Sequence, residues 1–109
     1  MTVSGTDLAM TRGDTESITV TCTAAPFSAG DTLTMTIRAD DVNGAIVFQK
    51  SITEFEVDGS AIIPILPTDT EGLEMDGDYV YDIQIVRSDG TVTTIIKPSK
   101  FEIEEEVTY

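Results

Sequence analysis

Apolar and polar residues alternate with a period of two along most of this chain, the pattern of strands with one face buried. In residues 17–23, SITVTCT, the spacing puts Ile18, Val20 and Cys22 on one face and Ser17, Thr19, Thr21 and Thr23 on the other. Residues 32–38, TLTMTIR, repeat it, with Leu33, Met35 and Ile37 inward and Thr34, Thr36 and Arg38 toward water. Threonine suits a solvated strand face because its β-branch fits the pleat. Residues 45–52, AIVFQKSI, align Ile46, Phe48 and Ile52, and residues 79–87, YVYDIQIVR, align Tyr79, Tyr81, Ile83 and Ile85. Residues 60–66, SAIIPIL, read as a further strand, in which Pro64 indicates an edge or a bulge because it cannot donate to a ladder. A last strand over 91–96 and 100–105 is interrupted at Pro98, and a short first strand is expected around Leu8 to Met10.

Turn formers separate these runs. Gly13-Asp14 divides the first two strands and Ser28-Ala29-Gly30-Asp31 the next pair. Asn43-Gly44 predicts a hairpin with a type I′ turn, whose two central positions both need positive φ. Asp58-Gly59 and Asp89-Gly90 are further hairpin candidates. The one helical signal is Thr68 to Leu73, where Thr68 and Glu71 have capping-box spacing, enough for a single turn. Seven to eight short strands at regular spacing with one helical turn predict an all-β fold, an immunoglobulin-like antiparallel β-sandwich. The chain of 109 residues is expected to be one domain, 1–109, fraying after about residue 105. Its initial Met is consistent with a complete small reading frame.

Charge narrows the set of partners. The net charge is -14, and the six basic residues, Arg12, Arg38, Lys50, Arg87, Lys97 and Lys100, are scattered. Nucleic acid and anionic membrane surfaces both call for clustered Lys and Arg, so neither is expected as a partner. Cys22 is the only cysteine, which excludes an intrachain disulfide scaffold. The first residues, MTVSGTDLAM, have neither the basic nor the apolar region of a secretory signal, and no run reaches the length of a membrane span. Synthesis in the cytoplasm is the expectation, with cell lysis as a route out.

The candidate chemistry is sparse. Arg12-Gly13-Asp14 is the tripeptide that many matrix proteins present to integrins, but Gly-Asp between two alternating strands is also plain turn chemistry, and the turn is expected here. Asp40, Asp41 and Asn43 offer oxygen ligands for calcium. With Gly44 as the sixth position of an EF-hand loop, however, Ala39 falls first and Lys50 twelfth, and the motif fails. Asp76-Gly77-Asp78 offers a looser site, for which a solvated turn is the simpler reading. The chain has no His to act as a base and its glycines form no phosphate loop. Cys22 at an inward strand position reads as a small core residue rather than a nucleophile. No catalytic, cofactor-binding or metal-binding residue is therefore expected, nor a cofactor.

Tyr79 opens a long strand after the helical turn. In immunoglobulin-like sandwiches a Tyr at this place forms a corner with the backbone upstream, so Tyr79 is the candidate, with Tyr81 as the alternative. The order of features is "GDT" before a strand, a Thr-rich strand, DGSAIIPILPTDTEGL, then GDYVYDIQIVRSDGTVTTI. It resembles the small immunoglobulin-like domains of tailed phages and prophages of Gram-positive bacteria, among them the amino-terminal domains of baseplate upper proteins. Leu66 to Leu73 and Tyr79 to Gly90 carry the resemblance, which covers most of residues 11–104; Thr68, directly after Pro67, departs from the pattern.

That resemblance implies a non-enzymatic structural or assembly component of a phage or prophage tail. Its implied partners are other phage tail proteins, with a homo-oligomer around the tail axis as a further possibility. It also implies that the chain is made in the host cytoplasm and ends in the virion tail. It implies no catalytic residues. The alternative is a calcium-assisted or carbohydrate-binding surface module, which an aromatic ring such as Phe55 or Tyr109 on an exposed flat face would favour.

Overall fold

The computed structural model describes residues 2–22, 25–41, 43–73 and 79–104. In chain order its elements are β1 (Thr2–Ser4), β2 (Asp7–Thr11), β3 (Glu16–Val20), β4 (Thr32–Ala39), β5 (Ile46–Ile52), β6 (Ala61–Ile65), the helical turn α1 (Pro67–Thr70), β7 (Tyr79–Val86) and β8 (Val92–Glu104). Six strands form one sheet in the order β1-β2-β8-β7-β4-β5, and β3 and β6 form a second, two-stranded sheet. The chain is thus an all-β, immunoglobulin-like β-sandwich. One pairing departs from the antiparallel expectation: β2 runs parallel to β8, with Leu8 opposite Phe101 and Met10 opposite Ile103.

The period-two pattern sets the two inner faces. On the large sheet Leu33, Met35 and Ile37 of β4 lie opposite Ile85, Ile83 and Tyr81 of β7. The small sheet contributes Ile18 and Val20 opposite Ile63 and Ala61. Leu33, Met35, Ile37, Ile63, Ile85 and Phe101 have no exposed surface. Each such side chain contributes about 1.5–3 kcal/mol relative to an exposed one. Phe101 also takes edge contacts from Phe48 and Tyr81, with ring centroids 6.1 and 6.2 Å away.

Several sequence expectations need correction. Ile46 is exposed rather than aligned with Phe48. The ladder shifts between Ile37 and Arg38, so that Phe48 pairs with inward Ile37 while Ile46 pairs with outward Arg38. The strand expected to break at Pro98 runs unbroken as β8, because the register shift between Tyr81 and Ile83 places Lys97 and Pro98 in a bulge. The helical turn begins earlier than expected, with Leu66 as N-cap and Pro67 as the first helical residue. Asp69, not Glu71, reaches back to its start, accepting the Leu66 N–H at 2.8 Å.

The turns divide in the same way. Asp89-Gly90 forms the expected β7–β8 hairpin, with Gly90 at φ 90° and the Arg87 N–H donating to the Thr91 carbonyl. Asp58-Gly59 makes a tight turn, yet its flanking strands lie in different sheets and do not pair. Asn43-Gly44 is not a type I′ turn: the positive φ falls on Asp40, at 69°. Gly44 is needed for a different reason, since a Cβ there would stand 1.6 Å from the Ala39 carbonyl oxygen. Residues 105–109, expected to fray, lie outside the described residues.

Among the described residues Pro64 sits on an edge strand, in keeping with its missing N–H. β6 pairs with β3 alone, opposite Ser17, and Pro64 itself is exposed.

Candidate functional site

Arg12-Gly13-Asp14 is a turn integrated into the fold. The Asp14 N–H donates to the Thr11 carbonyl at 3.2 Å, with Gly13 at φ 83°, the third position of a type II turn. Gly13 is buried, and its N–H donates to the Thr70 hydroxyl at 2.8 Å. The Arg12 guanidinium donates to the Leu73 carbonyl at 3.2 Å, and its own N–H bonds to the Glu104 carbonyl. Of the three residues only Asp14 is exposed. Arg12 is held toward α1 rather than presented with Asp14 as the two ends of a ligand.

The acidic positions do not converge. The Asp41 carboxylate accepts the Asn43 N–H at 2.8 Å, an ordinary Asx turn. Asp76, Gly77 and Asp78 lie outside the described residues. Among the described residues no three His, Cys, Asp or Glu side chains group to hold a metal. The strand expected over 17–23 ends at Val20, so Cys22 lies just beyond it, half-buried against the core.

The aromatic rings turn inward. Phe27, Tyr79, Tyr81 and Phe101 are buried, and Phe48 and Phe55 are half-buried. Phe55 leans on Phe27 with 5.5 Å between centroids, while the Arg87 guanidinium covers Phe27 at 5.5 Å. Phe55 therefore offers no flat exposed platform, and Tyr109 lies outside the described residues. The Tyr81 hydroxyl donates to the Thr6 carbonyl, across the sheet in the β1–β2 turn, rather than to the backbone just upstream that a tyrosine corner would use. Burial first, and the nearby Asp7 charge second, push the Tyr81 pKa up to about 12. Tyr79 is buried on the same strand, and residues 74–78 directly upstream of it lie outside the described residues.

One constellation escaped the sequence reading. Asp31 is 3% exposed and pairs with Arg87 at 2.9 Å. The Ser28 N–H and the Ser88 N–H also donate to its carboxylate, at 3.0 and 3.1 Å. These bonds, the Ser28 N–H first, hold its pKa below the usual carboxylate value. Arg87 further donates to the carbonyls of Ala25 and Pro26. This is structural chemistry: both Asp31 carboxylate oxygens and both terminal nitrogens of Arg87 are turned onto the protein's own loops. The sequence carried only a faint signal of it, a Gly-Asp turn and an Arg beside a hairpin.

Exposed large apolar side chains include Ile46, Val57, Val86 and Val92 elsewhere, but two, Ile62 and Leu66, fall together at the small sheet. Its outer face carries Ser17 opposite Pro64 and Thr19 opposite Ile62, with Leu66 just beyond. Ile62 is 43% and Leu66 48% exposed, and none of these side chains is charged. The two flanks of the sandwich also differ. Beside β6, Lys50 of β5 bridges to Asp69 of α1 at 2.6 Å. Beside β3 the described residues leave the sandwich open, and a groove of about 500 Å³ runs between Ser17–Thr21 and the large sheet, floored by Leu8, Tyr81, Ile83 and Ile96.

No family model matches the sequence, and no curated protein matches it. Among solved structures the chain is similar to the crystal structure of CopC from Methylosinus trichosporium OB3b, at 17% identity and a TM-score of 0.48, over 94% of this chain and 89% of that one.

Proposed function

We propose that this chain is a non-enzymatic assembly module of a phage or prophage tail, working through protein–protein contacts. The observation that carries the contact reading is the outer face of the small sheet. A chain with net charge -14 places no charge on Ser17, Thr19, Ile62, Pro64 or Leu66, and leaves the two large apolar residues among them open to water. Exposed apolar surface of this kind marks interaction sites. The tail assignment is supported by the sequence resemblance over residues 11–104. Other tail proteins are the partners in this reading, since a second copy would set one large negative charge against another.

The test starts from tail particles purified from the strain that encodes the chain. The chain is expected in them at a fixed ratio to the major tail protein, and a variant carrying Ile62→Lys and Leu66→Lys is expected to be lost from them while remaining folded. Absence of the unaltered chain from purified particles refutes the tail assignment. Retention of the double variant refutes the role of this face.

A further inference from the structure

We infer that the open flank of the sandwich accepts an extended strand from a different protein, added along Ser17–Val20 of β3, with apolar side chains at alternate positions and a net positive charge. This deepens the assembly reading and takes from it only the class of partner.

The backbone supplies the first argument. Among the described residues the strand ladders pair β3 with β6 alone, and Ser17–Val20 of β3 line the groove, so alternate N–H and C=O groups of that stretch face the groove edge. A row of such groups is completed by another extended backbone, the strand-addition mode of peptide recognition. The groove touches both the inward residues Ile18 and Val20 and the outward residues Ser17 and Thr19, so it runs along the strand's edge rather than under one face.

Two of the other edges are blunted, and the third, β5, carries Lys50. On β6, Pro64 has no N–H to offer, and the Lys50–Asp69 bridge at 2.6 Å sits at that flank. β1 is three residues long. β3 has five residues and neither Pro nor Lys. It offers length for a partner strand of roughly 17 Å.

Chemistry then fixes the side chains and the charge. Alternate residues of an added strand would look down onto Leu8, Tyr81, Ile83 and Ile96, an apolar floor. The remaining residues would continue the uncharged outer face. The groove lining has no charge of its own, while the whole chain carries -14, so long-range attraction favours a basic strand and disfavours a second copy.

The probe is a synthetic peptide about seven residues long, alternating valine with threonine and lysine. It is titrated into isotope-labelled chain while amide shifts and hydrogen exchange are followed. Amides of Ser17–Val20 are expected to shift, and exchange at the edge-facing ones to slow by about tenfold or more at saturation. N-methylation of the peptide's pairing amides should abolish this. Glutamate in place of lysine should weaken binding by about tenfold. Thr21→Trp, at an exposed position on the groove rim, should block the peptide with the melting temperature unchanged.

Shifts confined to β1 or β5, equal binding by the N-methylated peptide, or no shift at millimolar peptide each overturn the proposal. A chain that dimerises through β3 without peptide overturns the choice of partner. Ile62→Lys with Leu66→Lys leaves the β3 edge intact, so this experiment and the tail-particle experiment fail independently.

Discussion

Arg87 Nη1 lies 2.9 Å from Asp31 Oδ2 and thereby ties the end of β7 to the turn that enters β4. Both partners are satisfied many times over: the carboxylate accepts two backbone N–H groups, and the guanidinium reaches two carbonyls and covers the face of Phe27. Two connections, β3–β4 and β7–β8, thus meet at one ion pair, at the end of the sandwich opposite the Arg12-Gly13-Asp14 turn.

Acid is the direct probe of that arrangement. A carboxylate whose folded pKa is lowered contributes stability that is present above its ordinary value of 3.8 and lost as pH falls through the folded value. Asp58 and Asp89 are lowered as well, by the Ser60 hydroxyl and the Thr91 N–H respectively. Melting temperatures of the native chain and of Asp31→Asn are to be followed from about pH 7 to about pH 2. The variant should melt lower at neutral pH, and the gap should shrink once the pH drops below 3.8. A gap independent of pH would show that the Asp31 charge is not involved.

Base probes the opposite sign at Tyr81. Its raised pKa means that the neutral hydroxyl, bonded to the Thr6 carbonyl, is the folded form. Stability from this group is full below the ordinary value of 10.0 and is lost as pH rises toward about 12. Tyr81→Phe should cost about 1 kcal/mol at neutral pH and should flatten the loss of stability above pH 10. Urea unfolding at successive pH values reads both effects.

Thr70 and Gly13 give a test of the turn that the sequence left ambiguous. The buried bond from the Gly13 N–H to the Thr70 hydroxyl joins the tripeptide turn to α1. Thr70→Val keeps the shape and removes the acceptor, at an expected cost of about 1–3 kcal/mol in chemical denaturation. Thr70→Ser restores the acceptor and should recover most of it. If Thr70→Val is neutral, the turn is held by its backbone bonds alone.

The sequence made the sandwich legible wherever one strand face is buried and the ladder is regular. Leu33, Met35 and Ile37, and Tyr79, Tyr81, Ile83 and Ile85, fall where their alternation predicts. It failed where a bulge breaks the count. Ile46 is out because its partner Arg38 is out, and nothing local to AIVFQKSI announces the shift. It failed again at Pro98, which sits in a bulge of β8 defined only by its pairing with β7, and at β1, whose three residues are too few to show a period. The candidate surface was half legible. The outward positions of SITVTCT and SAIIPIL could be read, but the open flank depends on which sheet each strand joins, and that is decided by pairings far apart in sequence.

The loop after β4 separates a turn signal from its use. Asn43-Gly44 suggests positive φ at both residues, whereas the left-handed residue is Asp40 and Gly44 is required by the Ala39 carbonyl 1.6 Å from its missing Cβ. Gly44→Ala should therefore cost on the order of 2 kcal/mol, through steric conflict rather than strained φ. Asp40→Gly should be neutral or stabilising by up to about 1 kcal/mol, since a Cβ in the left-handed region is a standing cost. If the two variants respond in the opposite order, the loop is the type I′ turn after all.

Ile62 and Ile63 are neighbours in β6 with opposite tasks, and they allow assembly to be separated from folding. Ile63 is fully buried opposite Ile18, while Ile62 is 43% exposed opposite Thr19. Ile63→Ala should destabilise the chain by about 2–5 kcal/mol, the range for deleting a buried aliphatic side chain. Ile62→Lys removes exposed apolar surface and should leave stability within about 0.5 kcal/mol. In the tail-particle experiment the order should reverse. An Ile63→Ala chain that still folds at the assay temperature should be retained, because its outer face is unaltered, whereas Ile62→Lys should be depleted. Loss of both in proportion to their instability would mean that incorporation reports folding alone. The uncharged face of β6 would then be without a demonstrated partner.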